Sequence, residues 1–106
     1  MTIGLPALPR FTLRQLHYCV AVARCGQSSA AATEIGLSQS AMTLAIADLE
    51  QAMGTALLDR GRQGVTLTLQ GQGFLQHAES VLRMANEAAR FPIHGRDIHG
   101  KLEVAA

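Results

Sequence analysis

Residues 28–53 read S-S-A-A-A-T-E-I-G-L-S-Q-S-A-M-T-L-A-I-A-D-L-E-Q-A-M. Three alanines in a row favour a helix, which ends near Ile35. Gly36 and Leu37 form a tight turn, and Ser38 is placed to cap a second, longer helix that Gly54 stops. Two helices joined by a short Gly-containing turn make a helix-turn-helix, a motif whose second helix enters the DNA major groove. At 100° per residue, Met42, Ile46, Leu49 and Met53 fall on one stripe, which is expected to be the buried one. The opposite side then carries Ser40, Leu44, Ala47 and Gln51, with Thr43 and Asp48 beside them.

Upstream, residues 1–10 hold Pro6 and Pro9 and no periodic pattern, so they are read as a loose arm. Thr12 and Gln15 have capping-box spacing, and Phe11 with Leu16 occupies the hydrophobic-staple positions. A helix is expected from Leu13 to about Cys25, with Gly26 as its stop and Leu13, Leu16, Val20 and Ala23 as its apolar stripe. Ser28 or Ser29 is the expected cap of the short helix that follows.

Downstream, L-L-D-R-G-R-Q-G-V-T-L-T (57–68) places two apolar pieces around a Gly-bounded turn, the pattern of a β-hairpin. A hairpin behind a helix-turn-helix is a wing, and Arg60 and Arg62 are its candidate contacts to a nucleic-acid backbone. Thr68 can cap a last helix over 69–91, ended by Pro92. Its apolar residues Leu75, Ala78, Leu82, Ala85 and Ala89 repeat like a heptad seam, widened by Phe74, Val81 and Ala88. A stripe this wide is expected to be covered by a second copy of the chain. In the tail, Leu102 and Val104 alternate with charged or small residues as in an unpaired strand, which suggests that a second domain begins there.

The composition agrees with a small helical protein. Of the 106 residues, 48% are hydrophobic but only 4% aromatic, so the core must be aliphatic and rich in alanine. Cys19 and Cys25 are six apart on one predicted helix and do not face each other, so no disulfide is expected. The chain has neither a basic, apolar leader nor an 18-residue apolar run, so a cytoplasmic protein with no membrane span is expected. His17, His77, His94 and His99 show no metal-ligand spacing. Gly71 to Gly73 follow a helix cap, not the strand of a phosphate-binding loop. The expectation is therefore not an enzyme, with no metal and no cofactor in this stretch.

Taken together, these pieces resemble the N-terminal DNA-binding domain and linker helix of LysR-type bacterial regulators. The residues carrying the resemblance are L-R-Q-L-H-Y-C-V-A-V-A from Leu13, Gly26, Ala31 and Ala32, S-Q-S-A from Ser38, and Ile46. They continue with L-E at Leu49 and Glu50, Gly54, L-L-D-R from Leu57, and V-T-L-T followed by Gly71. The terminal G-K-L-E-V-A-A resembles the opening strand of that family's effector-binding domain.

The resemblance implies a mainly α fold: a winged helix-turn-helix over 11–68, a linker (dimerisation) helix over 69–91, and a hinge and first strand of a truncated effector domain over 92–106. It implies double-stranded promoter DNA as partner, a homodimer through the linker helix and a tetramer at full length. A small-molecule effector would bind only in the domain beyond. Ser38, Gln39, Ser40 and Thr43 match the start of the family's recognition helix. Leu44 stands where relatives often carry Arg, and Ala47 and Asp48 where they often carry basic residues; Ser28 replaces a usual Phe. The DNA-contact set is thus Ser38, Gln39, Ser40, Thr43, Leu44, Ala47, Arg60, Arg62 and Arg14. The dimer set is Phe74, Leu75, Ala78, Val81, Leu82, Ala85 and Ala89.

Charge sharpens the question. The net charge is only +1 and the pI about 7.9. Between Gly26 and Asp59 there is no Lys or Arg, against Glu34, Asp48, Glu50 and Asp59. Phosphate neutralisation supplies most non-specific affinity, and this stretch has no side chain to provide it. A weaker alternative follows: a dimerisation or protein-interaction module that keeps the fold with reduced DNA binding.

Overall fold

A computed structural model describes residues 4–92; the expected strand at Leu102 and Val104, and His94 and His99, lie outside them. The element order is α1 (Leu13–Cys25), α2 (Ser28–Ile35), α3 (Gln39–Met53), β1 (Leu58–Gly61), β2 (Gly64–Leu67) and α4 (Leu69–Ala89). Residues 4–10 form no helix or strand. This is the expected mainly α fold with a hairpin wing.

Local signals set most of the boundaries. The Thr12 hydroxyl accepts from the Gln15 N–H at 3.1 Å, and the Gln15 side chain accepts from the Thr12 N–H at 3.0 Å, closing the capping box of α1. Ser38 caps α3 by accepting from the Ala41 N–H at 3.1 Å. Gly36 takes the left-handed conformation (φ 85°) that lets α2 turn into α3, at no Cβ cost. Thr68 caps α4 through the Gly71 N–H, and its own hydroxyl donates to the Ala56 carbonyl at 2.7 Å. The start of α4 is thereby tied to the segment entering β1.

The core is one cluster: Leu16, Cys19 and Val22 of α1, Ala31 and Ala32 of α2, Met42, Ile46 and Leu49 of α3, Leu57 and Leu58, and Ala78 of α4. The alanines let α2 lie close to its neighbours. Burial, with the Glu50 charge adding to it, pushes the Cys19 thiol up to about 11, so it stays a neutral core group. Cys25 is exposed, and both thiols are free.

Four expectations need correction. The α1 stripe is Leu16, Cys19 and Val22; Leu13 is exposed and Val20 and Ala23 are half-buried, because α1 packs against α2, α3 and α4 together and its buried face follows all three. Met53 is 37% exposed, since the last turn of α3 runs past the core. The N-cap of α2 is Gln27, with no side-chain cap bond; Ser28 is the first helical residue and is buried. Finally, α4 stops at Ala89 with Arg90 as its C-cap, two residues short of Phe91, the residue that Pro92 keeps out of the helical region.

The widest departure concerns α4. Phe74, Ala78 and Leu82 pack on the chain's own core, with Phe74 meeting Phe11 edge-on at 5.9 Å. Ala78 is fully covered there, so it has no surface left for a partner. Leu69, Val81 and Met84 are exposed along a neighbouring face. No helix among the described residues is long and apolar enough to cross a membrane.

Candidate nucleic-acid interface

The outward side of α3 carries Gln39, Ser40, Thr43, Leu44 and Ala47, which together line one shallow surface depression. Their spacing of three and four residues puts them on one helical face. Leu44 is 63% exposed at its centre, a large apolar side chain with no cover from its own fold. Ser38 borders the face. Its oxygen accepts from the Ala41 N–H at 3.1 Å, and the Ser40 hydroxyl lies 3.4 Å away, close enough for the two hydroxyls to share a hydrogen bond. Of the nine residues expected to contact DNA, five are therefore gathered on this face, with Ser38 at its edge.

Arg14 lies in the crevice between α1 and α3, lined also by Leu44 and Asp48. Arg60, on β1, and Arg62, at the two-residue turn between Gly61 and Gly64, are exposed. They share a cleft of about 290 Å³ with Gln27, Ser28, Ser29 and Gln39. The wing's arginines and the first residue of α3 thus border a common space. The nine residues lie on three connected patches around the N-terminal half of α3.

The acidic residues do not crowd this surface. Glu50 is turned inward: one carboxylate oxygen accepts from the Leu57 N–H at 2.8 Å and the Leu58 N–H at 3.0 Å. Glu34 lines a different crevice, with His17 and Arg24. Asp59 sits on β1 opposite Thr66, and Asp48 flanks α3 beside Arg14. The −4 counted along the sequence is dispersed, and the face centred on Leu44 is neutral.

Two fastenings hold the wing in place. Glu50 grips the start of β1 from the end of α3, and the Val65 N–H donates to the Gly26 carbonyl at 2.7 Å, joining β2 to the end of α1. A Cβ on Gly64 would come within 2.5 Å of that carbonyl, so the approach needs glycine. Neither fastening was foreseen from the sequence. Glu50 had a faint signal, as a lone carboxylate between the buried Leu49 and the Gly54 stop; the Gly26 to Val65 bond had none. On the far side, Arg24 is bonded to Glu79 of α4 at 2.8 Å, which takes it out of the pool of free cations. Among the described residues no group of three His, Cys, Asp or Glu side chains is placed to hold a metal ion.

Residues 13–72 match the family model for bacterial regulatory helix-turn-helix proteins of the lysR family. Among curated proteins, the chain is 46% identical over 92 residues to YdcI of Escherichia coli K12, described as an uncharacterised HTH-type transcriptional regulator; the match covers 87% of this chain and 28% of that protein. It is 38% identical over 93 residues to the HTH-type transcriptional regulator TcbR of a Pseudomonas species, covering 87% of this chain and 32% of the relative. The chain thus spans about a third or less of these relatives. Among solved structures, the CbnR DNA-binding domain in complex with DNA superposes with a TM-score of 0.73 at 36% identity, covering 76% of this chain and 92% of that one. The BenM DNA-binding domain on its benA site gives 0.72 at 31%, covering 76% and 93%.

Proposed function

The chain belongs to the LysR family of bacterial helix-turn-helix regulators, and from that footing we propose that it binds promoter DNA sequence-specifically, with α3 in the major groove and the hairpin on the backbone or minor groove. The observation that carries this is the exposed face of Gln39, Ser40, Thr43, Leu44 and Ala47, joined at Gln39 to the cleft that holds Arg60 and Arg62. Similar domains have been solved on DNA.

The chemistry of the face indicates what it reads. Gln39 can pair bidentately with adenine, and Leu44 with the Thr43 methyl can meet thymine methyl groups. Ser38 and Ser40 can donate to phosphates, helped by the positive end of the α3 dipole. Charge comes from Arg60, Arg62 and Arg14. With about two to four arginines per protomer on phosphates, a dimer neutralises roughly four to eight, and the log–log salt slope is about −0.9 for each.

Dimerisation through α4 fits the exposed Val81 and Met84, with the half-buried Ala85 one turn from Val81. At full length the protein would be a cytoplasmic tetramer that answers to a small-molecule effector bound outside these residues. Its role is regulatory and not catalytic. A second reading, an interaction module with weakened DNA binding, is favoured only by the lack of any cation on α3.

Selection from random duplexes, followed by anisotropy titration at several salt concentrations, tests the proposal. The expected result is an enriched A·T-containing site bound with a moderate slope. A slope steeper than about −9 contradicts a cation-free α3. No enrichment and no shift at micromolar protein supports the interaction module instead.

A further inference from the structure

We propose that Leu44 is the specificity-determining residue of the α3 face and that it selects a C5-methylated pyrimidine, thymine or 5-methylcytosine alike. This rests on the DNA-binding reading above and deepens it, by naming the one group in the groove that the face requires. Leu44 is 63% exposed in the midst of a well-formed helix, and it takes no part in the core cluster. Its neighbours one turn away are Ser40, Ala41, Ala47 and Asp48, all smaller than leucine, so its side chain stands above them at the centre of the face.

The major-groove edges of the bases carry hydrogen-bond donors and acceptors and one apolar group, the C5-methyl of thymine. 5-Methylcytosine carries the same methyl, beside an amino donor in place of the thymine carbonyl. Set against a donor or acceptor, Leu44 strips it of water and offers nothing in return. Set against a methyl, it removes apolar area of both partners from water. The side chain therefore favours one kind of base and disfavours the rest. No neighbouring cation overrides that choice. Helix α3 holds no Lys or Arg that could seek guanine, and Glu50 is turned inward onto the Leu57 and Leu58 N–H groups. Thr43, half-buried beside Leu44 on the same face, adds a second methyl contact.

Single-base substitution in a duplex selected by the native chain tests this. Uracil in place of thymine removes only the C5-methyl. At one position for each protomer bound, it should weaken binding, read by anisotropy, roughly fourfold, as for one methyl-sized group returned to water. At that position cytosine should bind no better than uracil, and 5-methylcytosine should bind about fourfold better than cytosine. Leu44→Ala should be indifferent to these changes there, as the two deletions remove the same contact. It should melt with the native chain, since the residue is exposed. Leu44→Met, which keeps the apolar bulk, should retain the uracil penalty. If no uracil costs the native chain more than about twofold, or the penalty persists in Leu44→Ala, Leu44 does not select the methyl and the DNA-binding reading stands. A uracil penalty that 5-methylcytosine leaves unrelieved ties the contact to thymine as a whole base and equally overturns selection by the methyl. If the native chain selects no duplex at all, both readings fall.

Discussion

Helices α3 and α4 both carry apolar residues at helical spacing, yet the fold uses them differently. In α3, Met42, Ile46 and Leu49 form one narrow buried stripe, and the opposite side is free for recognition. In α4, Phe74, Ala78 and Leu82 pack on the chain's own core while Val81 and Met84 remain exposed on an adjoining face. A helix with neighbours on one side shows its burial directly in its period. A helix that serves two neighbours shows only a broad apolar band, because periodicity gives the width of a stripe and not the identity of what covers it.

The largest test of this contrast is truncation within each stripe. Ile46→Ala should destabilise the domain by about 2–5 kcal/mol through lost transfer energy and a cavity. Met84→Glu should change protomer stability by no more than about 0.5 kcal/mol while weakening self-association, read by sedimentation. Unchanged association in Met84→Glu would remove the exposed face of α4 as a dimer seam.

Glycines sharpen the same contrast. A Cβ on Gly71 would lie 2.0 Å from the Leu57 carbonyl, where α4 starts against the wing, so Gly71→Ala should cost about 1–3 kcal/mol or more. Gly73 has nothing within 4 Å, and Gly73→Ala should stabilise by roughly 0.5–1 kcal/mol. Denaturant midpoints for the pair decide it.

Next comes the link from α3 to the wing. Glu50→Ala leaves the Leu57 and Leu58 N–H groups without their acceptor and should cost about 1–3 kcal/mol. Glu50→Gln should recover part of the loss. Equal melting temperatures for Glu50→Ala and the native chain would deny that this carboxylate fastens the wing. The smallest effect concerns the thiols. At pH 8, Cys25 should alkylate readily and Cys19 should not react until the domain unfolds, since burial keeps it neutral. The raised Cys19 value also implies that stability is kept below about pH 9 and falls as pH rises toward about 11.

Much of the fold was legible because its signals are local. Thr12 with Gln15, Ser38, Thr68, Gly36 and Gly54 each act within a few residues, and they set the helix ends nearly where the sequence placed them. The candidate DNA face was legible for the same reason: residues 39–47 on one helix keep a fixed geometry whatever surrounds them. Ser28 was misread as a cap. Sequence offers a serine beside a helix start, but whether its hydroxyl caps or is buried depends on the chain's approach from Gly26.

What the amino-acid sequence determined by itself was therefore what is governed by neighbours along the chain: among the described residues, four helices and one hairpin, the caps of α1, α3 and α4, and the outward residues of α3. The tertiary structure decided which acids face away from that surface, which face of α4 the domain keeps for itself, and that Ser28, Gln39, Arg60 and Arg62 share one cleft. Those outcomes depend on contacts between residues tens of positions apart, such as Val65 with Gly26 and Arg24 with Glu79. Charge counted along a chain says nothing of where each carboxylate points, because direction is fixed only when the helices pack.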